Sequence, residues 1–165
     1  MKNILLVSST SGNNYQLAQE LESILKDKKA NYNLIKLTDF SIPLYHPEVE
    51  ESTDSDDISK LDNLFQTADQ FIFCAPEYNG SIPPILTNAI AWISVKTSNW
   101  RGAFNGKKAL ICTHSGGPGN NFISSMRIQL NHLGVIVLPR VIRKTKDSDF
   151  NKDSASQIIE QLLSL

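Results

Sequence analysis

The stretch FIFCAPEYNGSIPPILTNAIAWI (residues 71–93) runs from an apolar segment through a turn with one glycine and three prolines into a second apolar pattern of different period. Residues 71–75 are continuously apolar, as in a strand covered on both faces. Ile85, Leu86, Ala89, Ile90 and Ile93 recur at helical spacing and predict a helix with one buried face. A buried strand, a turn and a helix make one βα unit, and the rest of the chain repeats it. Residues 4–7 and 109–112 are further continuous apolar runs and read as central strands. Residues 33–37 and 135–139 are less uniform or closed by proline, which suits the sheet edges.

Helical patterns stand between the strands: Leu17, Ala18, Leu21, Ile24 and Leu25; Ile58, Leu61, Leu64, Phe65 and Ala68; Phe122, Ile123, Met126, Leu130 and Leu133, closed by Gly134; and Ile158, Ile159, Leu162 and Leu163. Five such units imply an α/β doubly wound parallel sheet with helices on both faces, because crossovers are right-handed. With five strands the expected order is the flavodoxin-like 2-1-3-4-5. A length of 165 residues suits a single domain over residues 1–165.

Sixteen basic and 17 acidic residues, interspersed, give a net charge of −1 and no basic stripe for nucleic acid or an anionic membrane. The first apolar run is too short for a signal segment, and no later one approaches the ~20 residues of a membrane span. Cys74 and Cys112 each lie within an apolar run and read as small hydrophobes, so a reducing cytoplasm is expected. His46, His114 and His132 show no ligand spacing, and no metal is expected. The charged segment HPEVEESTDSDD (46–57) reads as a solvated loop whose acidic end favours the dipole of the next helix.

In an open parallel sheet, ligands bind beyond the carboxyl ends of the strands where the order reverses. The turns that meet there are rich in Gly, Ser and Asn. In SSTSGNN (8–14), Ser9, Thr10 and Ser11 offer hydroxyls, Gly12 is permissive, and Asn13 and Asn14 open a helix. Open N–H groups at a helix start hold phosphate without a basic side chain; Ser and Asn also cap helices for purely structural reasons. The turn is neither a Walker loop nor Gly-x-Gly-x-x-Gly, and a terminal monophosphate fits it better. In the second turn Pro76 ends strand pairing, Gly80 permits a tight bend, and Pro83 or Pro84 opens the helix. A rigid connector would explain the prolines but not Glu77, Tyr78 and Asn79 together, whereas a planar heterocycle would use the fixed main-chain groups. In SGGPGNN (115–121), Gly116, Gly117 and Gly119 let the backbone approach a flat ligand. Ser115 is no hydrolase nucleophile, because Thr113 stands where Gly-x-Ser-x-Gly needs glycine. A phosphorelay receiver is excluded by Ala75 and Pro76 at the end of the third strand.

Residues 76–94, PEYNGSIPPILTNAIAWIS, resemble nearly throughout the Pro-Glu-Tyr-Asn-x-Ser-x-Pro-x-x-Leu-x-Asn-Ala-Ile-x-Trp signature of the NADPH-dependent FMN reductase family, the flavodoxin-like quinone, azo-dye and chromate reductases. NGKKALICTHSGGPGN (105–120), with Arg127, Leu130, Leu133 and Gly134, resembles the family's later strand and glycine-rich turn. The resemblance implies FMN as cofactor. Its phosphate would lie on Ser9, Ser11, Asn13 and Asn14, in a cofactor-binding turn that also includes Thr10 and Gly12. Its ring would lie beside Pro76, Glu77, Tyr78 and Asn79, with Ser115, Gly116 and Gly117 on the pyrimidine side; Gly80 and His114, next to these turns, are included among the cofactor-binding residues. It implies hydride transfer from NADPH or NADH to flavin N5 and onward to a quinone, free flavin or similar small acceptor, in a homodimer or homotetramer, with Glu77 and Tyr78 near a subunit contact. Many relatives carry an Arg in the first turn, and SSTSGNN lacks it. The alternatives are a flavodoxin-type electron carrier, against which the weak net charge counts, and a non-catalytic flavin-binding module.

Overall fold

The computed structural model of the chain describes residues 2–53, 55–96 and 101–165. In chain order the elements are β1 (Asn3–Ser8), α1 (Asn13–Asp27), β2 (Asn31–Lys36), a 3-10 turn (Leu37–Asp39), α2 (Pro47–Glu50), α3 (Asp56–Thr67), β3 (Gln70–Cys74), α4 (Pro84–Lys96), β4 (Lys108–His114), α5 (Asn120–His132), β5 (Ile136–Val137), β6 (Ile142–Lys144) and α6 (Lys152–Ser164). The sheet is parallel, in the order β2-β1-β3-β4-β5, with β6 also on β4. This is the flavodoxin-like fold.

The continuous apolar runs follow from cover on both faces, since alternate strand residues point to opposite sides. Leu5, Val7, Phe71, Phe73, Ala109 and Ile111 face α3, α4 and α5, where they meet Phe65, Leu86, Ile90 and Phe122. Ile4, Leu6, Ile72, Cys74, Leu110 and Cys112 face α1 and α6, against Leu17, Leu21, Ile158 and Leu162. Each such fully buried aliphatic or aromatic side chain contributes about 1.5–3 kcal/mol. Burial, and then neighbouring Cys74, holds the Cys112 thiol well above its ordinary pKa, so it stays a neutral packing group.

Two expectations need correction. The fifth strand is split: Lys108 pairs with Ile136 but Cys112 with Ile142, so four residues along β4 match six along the edge. Pro139 lies in the bulged part; it has no N–H to give the ladder, and the break gives a sixth strand. The charged segment 46–57 is also more than a loop. Pro47 at the first turn starts α2, and Ser55 caps α3 by accepting from the N–H of Ile58 at 3.4 Å.

The strap before α2 is held by the signature helix. Trp92 is fully buried, and its Nε1 donates to the carbonyl of Pro43 at 2.8 Å. Asn88 donates to the same carbonyl at 2.9 Å and accepts from the N–H of Tyr45 at 2.8 Å. Tyr45 meets the Trp92 ring edge-on, with centroids 5.3 Å apart. Asn88 and Trp92 of the signature are thus fasteners of the strap. Trp100, the chain's other tryptophan, lies outside the described residues. Among the described residues no helix is long and apolar enough to cross a membrane.

Candidate functional site

The carboxyl ends of β1, β3 and β4 open onto one cleft of about 530 Å³, within the usual size range for ligand pockets. The first turn lines it with Thr10, Ser11, Gly12, Asn13 and Asn14, the second with Pro76, Glu77 and Tyr78, and the third with His114, Ser115 and Gly116. Thr38 and Lys146 complete the lining, and sequence reasoning missed both. Lys146 carries no motif; it reaches the cleft because β6 lies along the end of β4.

Ser9, Asn79, Gly80 and Gly117 lie off the cleft's lining. Ser9 is fully buried, its N–H bound to the carbonyl of Cys74 at 3.0 Å and its Oγ without a partner. Asn79 and Gly80 both have positive φ, +49° and +68°, between reciprocal main-chain bonds of 3.1 and 2.9 Å joining Tyr78 and Ser81. That is the Asn-Gly type I′ hairpin, a signal present in the sequence. Asn79 is therefore accounted for by the turn, and Tyr78 is left half-exposed beside it.

Glu77 also has a structural assignment. Its carboxylate accepts from the N–H groups of Asn121 and Phe122 at 2.9 and 3.0 Å, so an acidic side chain of the second turn caps α5. The Glu77 N–H donates to Ser115 Oγ at 2.8 Å, and that hydroxyl lies 2.9 Å from Thr113 Oγ1. Gly119 closes the clasp: its φ is +65°, and a Cβ there would meet Thr113 Cγ2 at 2.9 Å. The second and third turns are thereby one unit. Asn14 joins the first to them, donating to the carbonyl of His114 and accepting from its N–H, both at 2.8 Å. The Asn14 side chain, 2% exposed, is thus committed to holding turns together.

Other groups are left open. Gly12 is the N-cap of α1 and offers no side chain to cap it. Among the described residues, no main-chain N–H from residue 10 to 14 has a hydrogen-bond partner; the first bonded ones are those of Tyr15 and Gln16, both to Gly12. In the third turn the Ser115 N–H goes to the carbonyl of Lys144 at 3.2 Å, whereas those of Gly116 and Gly117 have no partner among the described residues. His114 Nδ1 is buried and unpartnered as well. No heavy atom lies within 4 Å of where a Cβ would stand on Gly12, Gly116 or Gly117. A consecutive run of free N–H groups at a helix start attracts an anion. The glycine turn beside it leaves room for a flat polar guest.

The sequence model of the NADPH-dependent FMN reductase family matches residues 1–147. The chain belongs to that family. Within it, an NAD(P)H-dependent FMN reductase of Pseudomonas aeruginosa is 36% identical over 84 residues, 50% of this chain and 44% of that protein. An NADPH azoreductase of a Bacillus species is 28% identical over 102 residues, 61% of this chain and 54% of the other. The chain spans about half the length of the curated relatives it matches. FerB, a flavoenzyme NAD(P)H:(acceptor) oxidoreductase from Paracoccus denitrificans, superposes with a TM-score of 0.82 over 99% of this chain and 96% of that one, at 16% identity, a likeness of fold. The cleft of this family member fits FMN by its own chemistry, with an anion seat at the α1 start and unpartnered donors on the glycine turn.

Proposed function

We propose that the chain is an FMN-dependent NAD(P)H oxidoreductase formed as one flavodoxin-like domain over residues 1–165. The observation that carries this reading is the run of partnerless N–H groups at the uncapped start of α1, in one cleft with the open donors beside His114. The hydroxyls of Thr10 and Ser11 and the N–H groups of residues 10–14 would hold the phosphate. Pro76, Tyr78 and Gly116 would border the ring, and His114 Nδ1 would supply one buried polar contact to it. When bound, FMN supplies hydride acceptance from NADPH or NADH and electron delivery to a quinone, azo dye, free flavin or similar small acceptor.

The protein's part is to fix and to orient. Asn14 and the Glu77–Ser115–Thr113 clasp hold the turns at constant spacing, so bound groups meet preorganised donors. The N–H that would stabilise negative charge on the ring is that of Gly116, since the Ser115 N–H is taken by Lys144. The same reading includes a cytoplasmic location and, by family resemblance, a homodimer or homotetramer; sedimentation showing only monomer overturns the last.

Titration of the purified chain with FMN, followed by flavin fluorescence, should saturate. The loaded protein should then oxidise NADPH or NADH in the presence of a quinone. A chain that binds no FMN refutes the proposal, and a yellow protein inert to both nicotinamides replaces the reductase with an electron carrier.

A further inference from the structure

Around the cleft, cationic side chains are mostly neutralised. Lys144 Nζ pairs with Glu20 at 2.8 Å and lies over the Phe150 ring. Lys36 pairs with Asp39 at 3.1 Å and lies over Tyr15. Lys146 differs, because among the described residues it enters no ion pair or hydrogen bond, yet it lines the cleft with the first turn. It is the one Lys or Arg among the lining residues. Its place is set by the fold. Lys144 pairs with His114 at the end of β4 and accepts from the Ser115 N–H, and the next residues form a turn in which Ser148 Oγ accepts from the Thr145 N–H at 2.8 Å. Lys146 sits within that turn.

The cleft's one acidic side chain, Glu77, has its carboxylate on the start of α5. The cleft's own carboxylate is thus engaged, while its open N–H groups and the Lys146 ammonium have no partner among the described residues. We infer that Lys146 supplies the positive charge of the phosphate site, in place of the Arg that the first turn lacks, and thereby selects phosphorylated flavin over the unphosphorylated ring. This inference rests on the proposed flavin site. An ammonium beside a phosphate strengthens its hydrogen bonds by charge, and the side chain is exposed, so the effect is that of a partly screened pair.

The test compares the full chain with Lys146→Gln and Lys146→Arg, titrated with FMN and with riboflavin by fluorescence at low and high salt. In wild type, FMN affinity should fall with salt and riboflavin affinity should not. Lys146→Gln should weaken FMN binding about five-fold, leave riboflavin binding unchanged and flatten the salt response, and Lys146→Arg should restore FMN binding. Equal weakening of FMN and riboflavin overturns the inference in favour of a packing role. Unchanged FMN affinity with a raised KM for NADPH but not NADH overturns it in favour of a contact to the nicotinamide's phosphate. A wild-type chain that binds neither flavin refutes the flavin site itself, whereas flavin binding indifferent to residue 146 refutes this inference alone.

Discussion

Two helices begin at the same edge of the sheet, and their starts are treated in opposite ways. At α5 the N–H groups of Asn121 and Phe122 are taken by the carboxylate of Glu77. At α1 the corresponding groups meet no side chain, although both N-caps are glycines. Both ends carry the partial positive charge of a helix start. One is neutralised by the protein's own anion, and the other is left open among the described residues. A βα fold repeats helix starts along one edge, so a ligand finds a single seat only if the others are filled. Glu77 fills the neighbouring one, and in the same step its main chain ties the second turn to the third.

The contrast can be broken by loosening what holds the two starts together. Asn14→Ala should have the largest effect. It strips the N–H and carbonyl of His114 of their partner and should cost about 2–4 kcal/mol, read as a melting temperature lower by about 5–12 °C, with FMN affinity falling alongside. A variant that melts like wild type would show that the turns hold their spacing without this side chain. Glu77→Ala comes next. Uncapping α5 should cost about 1–2 kcal/mol, and Glu77→Gln, which keeps an acceptor oxygen, should lose less than half of that. Equal losses in the two would move the role of Glu77 from capping to charge.

Gly12→Asp sharpens the comparison with the smallest change in stability. It gives α1 the internal carboxylate that α5 already has, at a position with no heavy atom within 4 Å of the new Cβ. Thermal stability should change by no more than a few tenths of a kcal/mol. FMN binding should weaken about tenfold, and riboflavin binding much less. A folded variant with undiminished FMN affinity would remove the start of α1 as the proposed phosphate seat.

Much of the fold was legible because burial on both faces writes itself into the chain. Residues 71–75 and 109–112 are continuous apolar runs for that reason alone, and the helices between them keep a 3.6-residue period. The split edge was not legible, since VIVLP and the residues after it show apolarity but not the bulge that Pro139 introduces. The Asn-Gly hairpin at 79–80 was written plainly, yet its residues were read with the ligand. That Glu77 also caps α5 was hidden for a different reason. Its partners stand 44 and 45 residues away, and that of Asn14 stands 100 away, so no local pattern distinguishes a clasp from a contact.

By itself, the amino-acid order determined that strands and helices alternate, that three polar turns would crowd one rim, and that the chain carries the family's signature. Local period and local composition are enough for those. Only the tertiary structure decided which polar groups are already paired and which remain open, because hydrogen bonds are made between segments far apart in the chain. The same cause brings Lys146 into the cleft that the first turn lines: parallel pairing of β6 with the end of β4 closes a distance that no reading of neighbours along the chain could measure.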